Sequence, residues 1–130
     1  MEPFEVVLPP PPQALSPNAR VHWAKRYKAA RDYKEECGWT LKALRGSVRC
    51  PPLPLDKNGP VRARVIFYVY ARRRRDDDNA TAMLKPVWDA MVEVGWLTDD
   101  SHEHLTVGPP RFVVRPSQPA RVVVVLGGAK

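Results

Sequence analysis

The hydrophobic and polar positions along the chain follow two different periods, and each period predicts a different kind of element. A short apolar run at residues 4–8, FEVVL, runs directly into four prolines and predicts a first strand. Apolar side chains then recur at helical spacing through residues 22–45, which predicts a long amphipathic helix. They are Trp23, Tyr27, Ala30, Cys37, Leu41 and Leu44. Gly46 is a natural C-terminal stop for this helix.

A period of two returns in residues 61–71, VRARVIFYVYA, and predicts a second strand. One face carries small and apolar side chains, which belong against the helices. The other face carries Arg62, Arg64, Tyr68 and Tyr70. This strand leads the chain into the run RRRRDDD at residues 72–78.

Helical spacing resumes in residues 80–94 and predicts a second helix. Its buried stripe consists of Met83, Leu84, Val87, Trp88 and Met91. Pro86 lacks a backbone N–H, so it should kink this helix or mark the first turn of its second half. Gly95 is expected to end it.

Three short apolar runs follow, HLTVG, RFVVR and RVVVVL, with Pro109 and Pro110 as a break. They predict two or three further strands. The element order is then β-α-β-α-β-β. We expect residues 1–130 to form a single α+β domain, with a small mixed sheet packed against two main helices.

Composition narrows the class of protein. The 130 residues carry a net charge of +7, which favours a polyanion such as nucleic acid as the partner. No export signal and no apolar run of membrane-spanning length are present, and Cys37 and Cys50 are most simply reduced thiols. We therefore expect a cytoplasmic protein that does not bind membranes.

The charges are segregated along the chain. Residues 1–75 hold 16 of the 21 basic residues and 6 of the 14 acidic ones, whereas residues 76–103 hold one base, Lys85, and 8 acids. A phosphate-binding protein gains nothing from an acidic island unless a cation neutralises it. Divalent cations do so through carboxylate oxygens.

The carboxylates of the acidic island predict a metal site. Asp76 and Asp78 alternate along the chain, so both can point the same way, and one of Asp99 and Asp100 can fold back beside them. Together they would hold one or two Mg²⁺ ions. Lys85 and Asp89 fall near one helical stripe with Asp78.

Each of these features also has a simpler interpretation. The D-x-D pair is more often a helix cap or a solvated loop, and Asp78 or Asn79 is a good N-cap. Lys85 and Asp89 could form an ordinary surface pair. His102 and His104 suggest zinc with the two cysteines, but the close cysteine spacing of zinc sites is absent.

The residues resemble a known family, the RusA-type Holliday junction resolvases. Its pattern is a basic run, D-x-D-N, then K-x-x-x-D-[GA]-[LM], a glycine and D-D-[SA]. The stretch RRRRDDDNATAMLKPVWDAMVEVGWLTDDSHEHL matches it in order. The opening LPPPPQALSPNAR is also similar to the family's L-P-x-P-P and S-x-N loop.

The resemblance implies a homodimer, of host or phage origin, that binds four-way DNA junctions in the bacterial cytoplasm. It implies Mg²⁺-dependent paired nicks, with Mn²⁺ as a substitute. The resemblance assigns the catalytic and metal-binding carboxylates to Asp76, Asp78 and Asp100, and the catalytic lysine to Lys85. Asn79, Asp89 and Asp99 would support them.

The resulting hypothesis is metal-assisted hydrolysis of a phosphodiester. The Arg run and the basic face of the first helix would bind the flanking backbone phosphates. These residues are Arg72, Arg73, Arg74, Arg75, Lys25, Arg26 and Lys28. The rival hypotheses are a nuclease for flaps or other branched DNA, a non-catalytic DNA-binding module, and a metal-free recruitment protein.

Overall fold

The computed structural model describes residues 2–71 and 77–128. The predictions for Arg72, Arg73, Arg74, Arg75 and Asp76 lie outside the described residues.

Five strands form one mixed sheet, so the mixed sheet is confirmed, with one strand more than the predicted order β-α-β-α-β-β contains. They are β1 (Phe4–Leu8), β2 (Val61–Val69), β3 (Leu105–Val107), β4 (Arg111–Val114) and β5 (Arg121–Gly128). The spatial order is β1-β5-β2-β3, and β4 also pairs with β2. β5 is antiparallel to both β1 and β2, whereas β3 and β4 run parallel to β2.

β3 and β4 share one edge of β2 in succession. β3 pairs with its first residues, Val61 to Ala63, and β4 pairs with its last, Ile66 to Val69. The break between β3 and β4 contains Pro109 and Pro110, which cannot donate to a sheet ladder. Because β3 and β4 run parallel to β2, the chain must cross back between β2 and β3, and the segment that contains the second predicted helix makes this crossover.

The helical segments are α1 (Trp23–Leu44), α2 (Asp77–Ala82) and α3 (Lys85–Glu93). α1 ends two residues before Gly46, in agreement with the sequence. The prediction of one helix over residues 80–94 is wrong, because the chain turns at Met83 and Leu84 and starts α3 afresh. Pro86 explains the break: it occupies the first turn of α3, where a missing N–H costs nothing. None of the helices in the described residues is sufficiently long and apolar to cross a membrane.

The core lies between one face of the sheet and the pair α1 and α3. Val61, Ala63, Val65 and Phe67 of β2 are buried, whereas the intervening Arg62 and Arg64 are exposed, so the alternation in the sequence is confirmed. α1 is tied to the sheet by the Tyr33 hydroxyl, which donates to Pro9 O at 2.7 Å. This packing fixes the position of α3, whose first residue is Lys85.

Candidate functional site

Lys85 lies between two carboxylates that come from different elements. Its Nζ is 2.5 Å from Asp100 Oδ2 and 3.0 Å from Asp89 Oδ1. Asp89 lies one turn further along α3, whereas Asp100 belongs to the loop that follows the helix. The loop therefore folds back onto the start of α3, whereas the predicted convergence of Asp100 with Asp76 and Asp78 stays a prediction.

Two carboxylates compensate for an unfavourable position of the lysine. Lys85 is the first residue of α3, where the helix dipole disfavours a cation. Hydrogen bonds to Asp100 and then to Asp89 raise the pKa of Lys85 above its ordinary value. The amine therefore keeps its proton at neutral pH, so it can neutralise negative charge or donate a proton but cannot act as a base.

The two neighbouring aspartates of the loop have different roles. Asp99 Oδ1 accepts a hydrogen bond from the backbone N–H of Asp100 at 2.8 Å. The hydroxyl of Ser101 and this N–H lower the pKa of Asp99. Asp99 thus shapes the turn, while the Asp100 side chain is 22% exposed and faces Lys85.

A carboxylate that the sequence analysis missed anchors this loop. The side chain of Asp56 is 1% exposed and accepts hydrogen bonds from Thr98 N at 3.1 Å and Thr98 Oγ1 at 3.2 Å. His104 Nδ1 lies 2.8 Å from Asp56 Oδ2, and because a carboxylate only accepts, the ring nitrogen donates. Asp56 therefore holds both ends of the segment that carries Asp100.

The ionisation of Asp56 reflects these contacts. Burial by itself raises the pKa of this carboxyl, but the hydrogen bonds from Thr98 and His104 outweigh it and leave the pKa lowered. Asp56 is a charged group at neutral pH. No local motif marks it in the sequence, because its partners are 42 and 48 residues away.

The start of α2 carries the second part of the acidic island. Asp77 and Asp78 are exposed in the first helical turn, where the helix dipole favours negative charge. The prediction that Asp78 or Asn79 caps the helix is wrong, because α2 already begins at Asp77. The predicted helical stripe is confirmed for Lys85 and Asp89, which pair one turn apart in α3, but it does not extend to Asp78, since the helix is interrupted at Met83 and Leu84.

The donor chemistry of the island suits Mg²⁺, which prefers carboxylate oxygens. The oxygens of Asp78 and Asp100 belong to this class. However, within residues 2–71 and 77–128 no three His, Cys, Asp or Glu side chains are grouped so that they could hold a metal ion. The first aspartate of the predicted set, Asp76, lies outside these ranges.

The predicted DNA-binding cations of α1 are not equivalent. Lys25 and Lys28 are exposed. Arg26 is half-buried, and its Nη2 donates to Ala19 O at 2.8 Å, so this side chain braces the loop before the helix. Lys25 and Lys28 are the two that remain accessible to a ligand.

The residues considered for zinc binding or base stacking either contact other side chains or are exposed to solvent. His104 is engaged by Asp56, and both cysteines are unpaired thiols, Cys37 buried and Cys50 half-buried. The Tyr68 ring is covered by the Arg121 guanidinium at 3.9 Å, whereas Tyr70 is 55% exposed at the end of β2. The zinc interpretation gains no support from this arrangement.

No family model matches the chain. The chain is similar to an uncharacterized protein of Xylella fastidiosa (strain Temecula1 / ATCC 700964), with 36% identity over 101 residues. The match covers 72% of this chain and 59% of the relative, so the chain spans less than two thirds of the relative's length.

Proposed function

We propose that the chain is a Mg²⁺-dependent endodeoxyribonuclease that recognises DNA by its structure and resolves four-way junctions by paired symmetric nicks. The observation that carries the proposal is the contact of Lys85 with Asp100. It joins a protonated amine to a carboxylate within an acidic island, on a chain that is otherwise basic. This combination suits an anionic substrate at a site that also attracts a cation.

The residues would divide the reaction as follows. Asp78 and Asp100, with Asp76, would hold the metal, which when bound lowers the pKa of water and offsets negative charge on the phosphate. Lys85 would exchange part of its contact with Asp100 for the phosphate. It would then place its positive charge where negative charge develops in the transition state.

Asp89 and Asp56 would act on the geometry. Asp89 keeps a second contact to Lys85 at 3.0 Å, so the amine stays at the start of α3 when Asp100 is engaged elsewhere. Asp56 holds Thr98 and His104 and thereby limits the positions that Asp100 can take. Both are positioning residues in this proposal.

DNA binding would use the basic half of the chain. Lys25 and Lys28 on α1, with Arg72 to Arg75, would contact backbone phosphates and set the position of the duplex. A homodimer in the bacterial cytoplasm would supply two sites for the two opposing strands of a junction. The same residues could serve a nuclease that acts on flaps or other branched DNA.

One observation favours a second candidate, a non-catalytic DNA-binding module. Lys85 contacts both Asp89 and Asp100, and a lysine so placed offsets half of their negative charge without a metal. Under this alternative the acidic island is a structural ion-pair network. Its carboxylates could then be replaced without loss of DNA binding.

The test is cleavage of a labelled four-way junction, beside a linear duplex and a flap, with and without Mg²⁺. We expect paired symmetric nicks in the junction that need the metal. Asp78→Asn should lower the cleavage rate by about a hundredfold or more while junction binding persists. Asp77→Asn is the matched control, since both carboxylates are exposed in the same helical turn, and it should cleave normally.

The two variants decide between the candidates. Tight junction binding without cleavage under any divalent metal would support the binding module. Equal activity of Asp78→Asn and Asp77→Asn would remove Asp78 from the site. Metal-dependent cleavage of flaps in preference to junctions would keep the nuclease and change its substrate.

A further inference from the structure

The apolar side of α1 continues beyond the part of the helix that the core covers. Leu41 lies 18 residues after Trp23, about five full turns, so both side chains leave the helix on the same side. Leu41 is fully buried, whereas Trp23 is 75% exposed. The N-terminal half of α1 therefore presents to solvent the side of the helix that its other half buries.

Tyr27 belongs to the same exposed side. Gly38 lies 11 residues after it, about three turns, and is buried close to Val94 at the end of α3. Tyr27 is 67% exposed. Trp23 and Tyr27 are about one turn apart, so their side chains leave the same face of the helix. A pair of exposed aromatic side chains is unusual on a surface unless it contacts a partner.

The charge around the two rings identifies the chemistry of this partner. Residues 20–31 contain five basic side chains and no acidic one. A second copy of the chain docked face to face on this surface would bring two such positive segments together, which electrostatics opposes. A polyanion with aromatic groups of its own satisfies both the charge and the rings, and single-stranded nucleic acid has this composition.

The side of α1 that carries the exposed rings contacts the acidic island two helical turns further along. Lys34, seven residues after Tyr27, forms a 2.8 Å ion pair with Glu93 of α3. The pKa of Lys34 is raised first by its hydrogen bond to Glu93 and, to a smaller extent, by the negative charge of Asp89. Asp89 in turn contacts Lys85. The aromatic pair and the candidate site thus lie along one continuous side of the α1–α3 pair.

We propose that Trp23 and Tyr27 form a stacking platform for unpaired DNA bases, within a segment whose net positive charge attracts the phosphates. The choice of DNA over RNA rests on the proposed function, whereas the stacking itself does not require cleavage. Planar rings stack on any base, so the platform would recognise an unpaired region rather than a sequence. At a branch point, such a surface would hold bases that leave the duplex stack beside the acidic island.

The test measures binding of a fluorescently labelled single-stranded DNA oligonucleotide in the absence of divalent metal. We expect Trp23→Ala and Tyr27→Ala each to weaken affinity by about fivefold to a hundredfold, and Trp23→Phe to retain most of it. The control is Trp39→Ala. Trp39 is 64% exposed on the same helix, but it projects from nearly the opposite side and stacks with Lys42. Its replacement should leave affinity unchanged.

A second readout follows the tryptophans themselves. Trp88 and Trp96 are buried, so the oligonucleotide can reach only Trp23 and Trp39. Binding should quench the emission of Trp23 and leave that of Trp39 unchanged. The quenching should therefore disappear in Trp23→Ala and persist in Trp39→Ala. Unchanged affinity of Trp23→Ala and Tyr27→Ala would overturn the proposal. So would an equal loss in Trp39→Ala. Sedimentation that shows a dimer abolished by Trp23→Ala would assign the surface to a second copy and would also overturn it.

The outcome is separable from that of the proposed nuclease. Asp78→Asn, which should lack cleavage, should bind the single-stranded oligonucleotide as wild type does. Binding that depends on Trp23 without any cleavage of branched DNA leaves the platform standing and removes the nuclease. Normal junction cleavage by Trp23→Ala with unaltered oligonucleotide binding removes the platform and leaves the nuclease.

Discussion

Lys85 and Asp56 show how single residues at the site depend on partners from elsewhere in the chain. Lys85 begins a helix, a position that disfavours a cation, and it is retained there by Asp89 and Asp100. Asp56 is a buried carboxylate whose hydrogen bonds come from Thr98 and His104. A buried charge is tolerated when such bonds satisfy it, and removing the bonds leaves the donors unpaired.

Replacing Asp56 by alanine should destabilise the protein, because it removes hydrogen bonds to a buried charged group. We expect the free energy of unfolding to fall by about 2–4 kcal/mol. Urea denaturation followed by circular dichroism would measure it. Asp32→Ala is the control, since the Asp32–Arg31 pair is exposed and 3.5 Å long, and such pairs contribute little.

The pH dependence of this effect has a defined sign. The pKa of Asp56 is lowered on folding from its ordinary value of 3.8. Its contribution to stability is therefore fully present above that pH and is lost as the pH falls through the lower folded value. A difference between wild type and Asp56→Ala that grew on acidification would contradict the assignment.

At the scale of elements, the reversal after α3 brings the distant loop back to the start of the same helix. Gly95 follows this helix with φ of +84°, in the left-handed region that favours glycine. The backbone N–H groups of Trp96 and Leu97 then donate to Met91 O at 2.8 and 3.2 Å. This compact end directs the chain towards Thr98, Asp99 and Asp100.

Replacing Gly95 by alanine should cost about 1–2 kcal/mol of stability, because an L side chain disfavours this backbone conformation. A Cβ at Gly95 would meet no atom within 4 Å, so the cost is conformational rather than steric. Asparagine, which tolerates the left-handed region, should cost less than alanine. Thermal unfolding of the two variants would measure the difference.

Gly46→Ala provides the comparison for this prediction. A Cβ there also meets nothing within 4 Å, but Gly46 does not have a positive φ. Its replacement should therefore be neutral or slightly stabilising, through the unfolded chain. Equal destabilisation at both glycines would show that φ is not the cause.

At the scale of the whole molecule, the charges are separated in space as well as in sequence. The N-terminal half of α1 is basic, and Arg62 and Arg64 are exposed on the side of the sheet away from the helices. The acidic residues of the island lie in α2, in the second half of α3 and in the loop at Asp99 and Asp100. A net charge of +7 thus coexists with a local excess of negative charge.

Affinity for a DNA duplex should fall steeply with salt, since binding releases condensed counterions. Replacing both Lys25 and Lys28 by glutamine should reduce the slope of log affinity against log salt by about two, because each lysine would neutralise one phosphate. Fluorescence anisotropy over a range of KCl concentrations would measure the slope. Lys57→Gln, an exposed cation on the loop before β2, should leave it unchanged. A slope that was the same in all three proteins would exclude α1 from the phosphate contacts.

Local patterns determine most of the elements of this protein. The strands β1 and β2 and the helix α1 agree with the predicted ranges within one or two residues, because burial of one face imposes a fixed period on the sequence. Pro86 and Gly95 act through their own backbone constraints, so the break and the end of the second helical segment are also local. The prediction of one continuous helix is wrong, but the alternative that Pro86 marks the first turn of a second half is confirmed.

The sequence predicts some of the residues at the candidate site. Lys85, Asp89 and the Asp99–Asp100 pair were identified from the acidic island and its spacing, and the fold brings Lys85 together with Asp89 and Asp100. The tertiary structure shows that Asp100 faces Lys85 and that Asp99 shapes the turn, a distinction that the residue spacing left open and that only the resemblance made. It alone reveals Asp56 as the anchor and Trp23 with Tyr27 as an uncovered face. The physical reason is that periodicity reports which side of an element is apolar, whereas partners far apart in sequence, and the extent to which a core covers a helix, exist only once the chain has folded.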